Sequence, residues 1–323
     1  MEPAHLARAA ALTIRGKRLR PDVAWFLFRR EGVLADIESA LRRGDYEPEG
    51  FDLLFIHDPK PRAIARASIA DRVVHTALVS LMEPALTRSI TDDDFACRPG
   101  YGTHRARLRL LEFVRRHRFA LHLDVRSYFP SIDLGVLRAL LRPRIQDGRF
   151  LAVVDRVLDA GAGLYDSARA RRHARLDPDW PPPGRGGLPI GALTSQLFAA
   201  HVYLHAFDHF VKRDLHVPGY LRYVDDLFLF GDSRAALRGW RSAAARYLGD
   251  ERRLRLKRPD APVLSCAGHL DALGVRIRRT GIEPRPRALS RLRAAVARVA
   301  SGEDLDERIR EAMASRVGGI LFA

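Results

Sequence analysis

Residues 220–230 read YLRYVDDLFLF. Two adjacent acids, Asp225 and Asp226, interrupt an apolar run in a chain whose net charge is +16. Acid pairs favour turns, because short polar side chains bond their own backbone and tolerate left-handed geometry. Leu221, Tyr223 and Val224 before the pair, and Leu227 to Phe230 after it, read as two strands. The stretch alone therefore predicts a hairpin with Asp-Asp at its tip. A bare hairpin needs no chemistry, so the reading turns on which other side chains meet that tip.

The first candidate lies about a hundred residues upstream. In FALHLDV (119–125) Phe119, Leu121, Leu123 and Val125 alternate with Ala120, His122 and Asp124. That period of two marks a strand, and it delivers a carboxylate near its C-terminal end. If this strand pairs with the hairpin, Asp124, Asp225 and Asp226 converge at one sheet edge. Clustered carboxylates repel one another and normally need cations. Oxygen-rich acidic sites suit Mg²⁺, which keeps water and substrate phosphates in its shell. Two such ions, roughly 3.5–4 Å apart, can activate a hydroxyl and stabilise a leaving oxygen in phosphoryl transfer. His122 reads as a core or sheet-facing histidine outside the metal set, because hard Mg²⁺ prefers oxygen.

Composition fits such a centre. Lys plus Arg outnumber Asp plus Glu by 55 to 39 in 323 residues, with arginine clusters at 105–118, 168–175 and 252–258. A basic surface attracts polyanions, nucleic acid first among them. With 47% hydrophobic residues the chain is an ordinary globular protein rather than a disordered tail. No apolar run approaches the ~20 residues that cross a bilayer. The N-terminus has no signal-peptide core, so the expectation is a cytoplasmic protein with no membrane partner. Cys97 and Cys266 are too few for a disulfide framework and lack metal-ligand spacing.

Along the chain, residues 1–50 read as helical, 51–57 as a strand and 63–86 as a helix. RPGYG (98–102) is a turn by its Pro and Gly content. Helices are expected over 103–118 and 134–160, an irregular insertion over 165–187, and one long amphipathic helix over 192–214. After the hairpin come a helix near 233–249, a second hairpin over 270–282, and helices around 289–299 and 303–314. This order predicts an α+β protein with an antiparallel sheet.

LHLDVRSYFPSID (121–133), GLPIGALTSQ (187–196) and YVDD (223–226), in this order and spacing, resemble motifs A, B and C of reverse transcriptases. FIHDPKPRAIARASIADRVVH (55–75) and ACRPGYGTHRA (96–106) resemble the fingers segments of bacterial members. The likeness covers roughly residues 50–280. It implies that Asp124 and Asp225 bind two Mg²⁺ ions, for which Mn²⁺ can substitute, with support from Asp226 and the backbone carbonyl of Val125. Phe129 matches the ring that crowds a ribose 2′-hydroxyl, the group that distinguishes RNA from DNA. Lys60 and Arg62 match basic residues that contact the incoming triphosphate. Arg72 has a family counterpart, and its other reading is a structural pair with Asp71.

Two segments depart from the common pattern. Ile190 stands before Gly191 where many members have glutamine, and Gln196 follows Ser195 where many have proline. The I-G-x-x-x-S-Q form resembles the enzymes of diversity-generating retroelements, which copy template RNA with errors at adenines. Residues 254–277 resemble motifs D and E loosely, with Lys257 at the place of a lysine that protonates pyrophosphate. The Leu273-Gly274 turn resembles a primer grip, with Ala272 where an aromatic is frequent.

The resemblance implies a right-hand polymerase with fingers at 1–119 and 142–186. Its palm, ferredoxin-like and antiparallel, would be 120–141 and 187–283, and its short helical thumb 284–323. The implied activity is RNA-directed DNA polymerisation on a template RNA, with a DNA or RNA primer and dNTPs. A short thumb grips weakly, which leaves a role for a small basic accessory protein. Two alternatives share the same residues: a defence-associated reverse transcriptase copying a non-coding RNA, and a non-catalytic RNA-binding relic.

Overall fold

A computed structural model describes residues 2–56, 62–174 and 186–300. Helices α1 (Pro3–Ile14), α2 (Pro21–Phe28) and α3 (Arg30–Arg43) precede the strands β1 (Phe51–Ile56) and β2 (Arg62–Ala67). Next come α4 (Ile69–Leu86), α5 (Thr103–Arg116), β3 (Phe119–Asp124), α6 (Tyr128–Ser131), α7 (Leu134–Leu141), α8 (Gly148–Gly161) and α9 (Ala168–Ala174). Residues 193–214 are helical throughout most of their length: α10 (Leu193–Phe198), a π-helical turn (Ala199–Tyr203), α11 (His205–His209) and a second π-helical turn (Phe210–Asp214). The chain continues through β4 (Gly219–Tyr223), β5 (Asp226–Gly231), α12 (Arg234–Arg252), β6 (Leu264–Ser265), β7 (Leu270–Ala272), β8 (Val275–Arg278), β9 (Gly281–Pro284) and α13 (Pro286–Ala300).

Several sequence expectations need correction. Residues 62–67 form β2 rather than the start of a helix, because RAIARA pairs antiparallel with β1 from Phe51↔Ala67 to Ile56↔Arg62. Alanine-rich sequence favours helix locally, and the cross-strand partner overrides it. Within the expected insertion, α9 is a regular helix, while 175–185 lie outside the described residues. The long helix after Gly191 carries two π-helical turns instead of a uniform α-helix. The second hairpin gains a third strand, β9. The helix expected at 303–314 lies outside the described residues.

The chain divides into two compact units. One comprises Met1–Thr91, Val125–Asp208 and Ala245–Lys257. Here α1 packs on α4 through buried Leu6, Ala9 and Ile14, and Thr13 meets Thr76 hydroxyl to hydroxyl at 2.9 Å. Buried Asp71 accepts from the Tyr46 hydroxyl at 2.6 Å and from the Glu49 amide at 2.9 Å, which ties down the approach to β1. Burial pushes the Asp71 carboxyl above its ordinary range. Arg72 pairs with Asp22 of α2 at 3.1 Å, so its structural partner is not Asp71.

His75 of α4 is 1% exposed, and its Nδ1 has no hydrogen-bond partner. Burial holds its pKa down at about 4. An unfolded chain protonates this ring below about 6.5, whereas the folded one resists until about 4. The unfolded state thus binds more protons across that window, and acidification favours unfolding. About 3 kcal/mol of stability is expected to disappear between pH 7 and pH 4 through this group. A His75→Met variant should show a shallower fall of melting temperature with pH; identical slopes would remove His75 as the cause.

The other unit comprises Asp92–Asp124, His209–Ala244 and Arg258–Ala323. Its four-stranded antiparallel sheet has the order β4-β5-β3-β6, and a separate three-stranded sheet runs β7-β8-β9. Leu110, Phe113 and Val114 of α5, Phe228 and Phe230 of β5, and Val275 and Ile277 of β8 share one core. Among the described residues no helix is long and apolar enough to cross a membrane.

Candidate active site

The β3–β5 register places Asp124 directly opposite Asp226. The β4–β5 register pairs Tyr223 with Asp226, so the connecting loop is Val224-Asp225. The tip is therefore shifted one residue from the Asp-Asp tip that turn chemistry predicts, and Asp226 belongs to the strand. Val224 has φ +58°, the left-handed region. Two-residue hairpins put a positive φ at the first loop position, where glycine is usual. A β-branched residue there is a genuine outlier, at a cost of about 1–3 kcal/mol.

Like charges directly opposite on paired strands destabilise a sheet. Part of the load on Asp226 is met by His122, whose Nε2 lies 2.6 Å from Asp226 Oδ1. An ionised carboxylate only accepts, so this nitrogen carries the proton. The His122 ring stacks on Phe228 at 4.5 Å between centroids, which fixes its orientation. Sequence reasoning kept His122 out of the metal set but missed its contact with Asp226, because the two are diagonal neighbours across strands 104 residues apart.

Among the described residues, no three His, Cys, Asp or Glu side chains form a ready-made metal cage. The donor set nonetheless fits a hard divalent cation. Mg²⁺ is commonly held by one or two carboxylates plus water and substrate phosphates rather than by an all-protein cage. Asp124 facing Asp226, with Asp225 in the adjoining loop, offers such oxygens.

Other expected site residues lie in the first-described unit. Val125 follows Asp124 in the chain and bridges Leu256, which directly precedes Lys257. Lys257 itself is exposed. Phe129 lies in α6 after a left-handed Ser127 (φ +43°), half-buried, with its ring edge-on to Tyr128. Its carbonyl accepts from the Leu188 amide at 2.8 Å. Two residues on, the Ile190 amide donates to the Tyr165 hydroxyl and the Ile190 carbonyl accepts from the Ala65 amide at 2.7 Å. Gly191 (φ +115°) brings its backbone so near β2 that a Cβ would sit 2.7 Å from the Ala65 carbonyl oxygen. Phe129, Ile190, Gly191 and the β2 strand of exposed Arg62 are thus linked by consecutive backbone contacts. Lys60 lies outside the described residues.

The β7–β8 turn at Leu273-Gly274 has positive φ at both residues, +45° and +84°. Arg107 of α5 donates to the Leu273 carbonyl at 2.8 Å and secures that turn. Ala272 is buried.

Comparison with known proteins agrees with this architecture. No family model matches the chain. The sequence is 26% identical over 226 residues to Protein YkfC of Escherichia coli K12, across 65% of this chain and 55% of that protein. It is 24% identical over 151 residues to an uncharacterized 91 kDa protein in a cob intron of Schizosaccharomyces pombe, across 47% of this chain and 17% of that protein. The chain thus spans only part of the length of these curated relatives. Among solved structures, telomerase from Candida albicans, in complex with a fragment of telomeric RNA, superimposes with a TM-score of 0.50 at 11% identity. That match covers 80% of this chain and 51% of the telomerase chain. A Cas6-RT-Cas1–Cas2 complex is a more distant neighbour, with a TM-score of 0.40 at 17% identity, covering 77% of this chain and 42% of that one. With its mixed helix and sheet, the chain shares the fold of the matched part of that telomerase chain.

Proposed function

We propose that the chain is an RNA-directed DNA polymerase of the diversity-generating retroelement kind. The observation that carries this reading is the Asp124–Asp226 pair across β3 and β5, with Asp225 in the loop beside it. The order β4-β5-β3-β6, with α12 leading into β6, supports a ferredoxin-like palm. Fingers, palm and thumb would follow the boundaries expected from sequence; 301–323 of the thumb lie outside the described residues.

In this reading Asp124 and Asp225 hold two Mg²⁺ ions, with Asp226 and the Val125 carbonyl in support. When bound, the ions lower the pKa of the primer 3′-hydroxyl and stabilise the leaving pyrophosphate. His122 keeps Asp226 oriented through its 2.6 Å hydrogen bond. Arg62 and Lys60 would neutralise charge on the triphosphate, and Lys257 Nζ would supply a proton to the leaving group. The half-buried ring of Phe129 would exclude a ribose 2′-hydroxyl. Phe129→Ala is accordingly expected to raise the kcat/KM for a ribonucleotide relative to its deoxy counterpart by about tenfold or more. Unchanged selectivity in single-nucleotide incorporation would remove Phe129 from that role.

The retroelement assignment draws support from Ile190. Its side chain packs against the cluster of Leu53, Ala63, Ala65 and Tyr165 and offers no amide hydrogen bond. Base selection would then rest on shape and packing, which favours misincorporation. The test is primer extension on a defined RNA with dNTPs and Mg²⁺, followed by product sequencing. Template-dependent DNA with errors concentrated at adenines supports the full proposal. Accurate DNA keeps the polymerase and removes the retroelement assignment; absence of extension overturns both.

A further inference from the structure

Arg222 is the largest fully buried side chain among the described residues. It lies on β4, two positions before the strained Val224. Its guanidinium contacts the Asp94 carboxylate at 2.7 Å, with both side chains at most 1% exposed. The main chain is fastened at the same residue. The Arg222 amide donates to the Asp93 carbonyl at 2.8 Å, and the Arg222 carbonyl accepts from the Phe95 amide at 3.0 Å. Residues 93–95 therefore cover the outer edge of β4 as a parallel bridge.

The fastening continues toward the acids. Thr103 Oγ1 meets the Tyr223 hydroxyl at 2.8 Å. Arg222 Nη1 stands 3.4 Å from the Val224 carbonyl oxygen. That distance is long for a hydrogen bond, but a buried cation still attracts a carbonyl dipole strongly in low dielectric. Asp93, itself buried, pairs with Lys212 and faces Arg109 at 3.8 Å, which anchors the segment from its other side.

A buried ion pair is weak evidence for stability, because apolar residues of similar volume often serve as well. What apolar residues cannot supply is a directed contact onto a carbonyl. We propose that Arg222 is a positioning residue, and that Asp94 holds its guanidinium where it imposes the left-handed conformation of Val224 and so sets the placement of Asp225. The inference rests on the polymerase reading for its catalytic consequence, though its structural content stands apart from it.

The test pairs two variants with two readouts. Arg222→Lys keeps a cation for Asp94 and loses the second guanidinium arm. Arg222→Met combined with Asp94→Leu removes the pair and refills its volume. Amide hydrogen exchange at residues 223–227 of the full chain reads the turn directly, without metal or substrate. Exchange is expected to rise about tenfold or more in both variants while melting temperatures stay near wild type. In primer extension, kcat should fall about 10²-fold with dNTP KM little changed, the signature of misplacement rather than lost binding. Wild-type exchange in Arg222→Lys, or in a folded double variant, overturns the proposal. If the double variant does not fold, Arg222→Lys decides alone. If the wild-type protein does not extend primers, the polymerase reading fails while the exchange result still judges the positioning role.

Discussion

Asp225→Asn is expected to lower primer extension by about 10³-fold or more while leaving the fold and RNA binding intact. The substitution keeps the shape of the side chain and removes one negative charge from the loop that joins β4 and β5. No apolar packing is lost, and repulsion among the three acids falls. Circular dichroism and melting temperature should therefore match wild type, with metal-free stability equal or slightly higher. The capacity to hold divalent ions against a triphosphate is what the substitution is expected to remove. Near wild-type extension by this variant would sink the polymerase assignment, and a collapsed melting temperature would show a structural acid instead.

Gly191→Ala is expected to destabilise the chain by about 3 kcal/mol, which lowers the melting temperature by roughly 5 °C or more. Two causes add. The backbone at φ +115° lies where L side chains are strained, and the new Cβ would stand 2.7 Å from the Ala65 carbonyl oxygen and 3.2 Å from Ile64 Cγ2. Relief requires β2 to move, which breaks the 2.7 Å bond from the Ala65 amide to the Ile190 carbonyl. That bond is worth about 1 kcal/mol. Gly239→Ala is the matched control. It lies in α12 with nothing within 4 Å of the added methyl, so it should stabilise by about 0.5–1 kcal/mol. Equal melting temperatures for the two variants would show that the approach of residue 191 to β2 is looser than described.

Much of this was legible in the amino-acid sequence where the signal is local. The alternation in 119–125 located β3 and its terminal carboxylate, and the apolar flanks of Asp225-Asp226 located β4 and β5. Their pairing then followed from the resemblance, since nothing local says that Asp124 faces Asp226. What stayed hidden depends on partners far away. β2 looks helical because three of its six residues are alanine, and only its pairing with β1 makes it a strand. The hairpin tip was displaced by one residue because local preference argues against a left-handed valine. Arg222 and Asp94 are 128 positions apart. One signal was available: an arginine within a strand that is otherwise apolar, and a run of three acids before Phe95, are both costly to bury alone. Lys60 and the C-terminal segment beyond residue 300 gain no structural account, since they lie outside the described residues.

The left-handed turn at Val224 also bears on how this chain can drift. Its conformation is imposed by neighbours rather than chosen by its own side chain, so identity at 224 contributes little to holding it. A saturation library should accept many replacements at that position, glycine among the fittest. Positions 94 and 222 should accept almost none, although both are hidden from solvent and touch no reacting atom. Sequence variation would then be widest one residue away from Asp225 and narrowest in the interior beneath it.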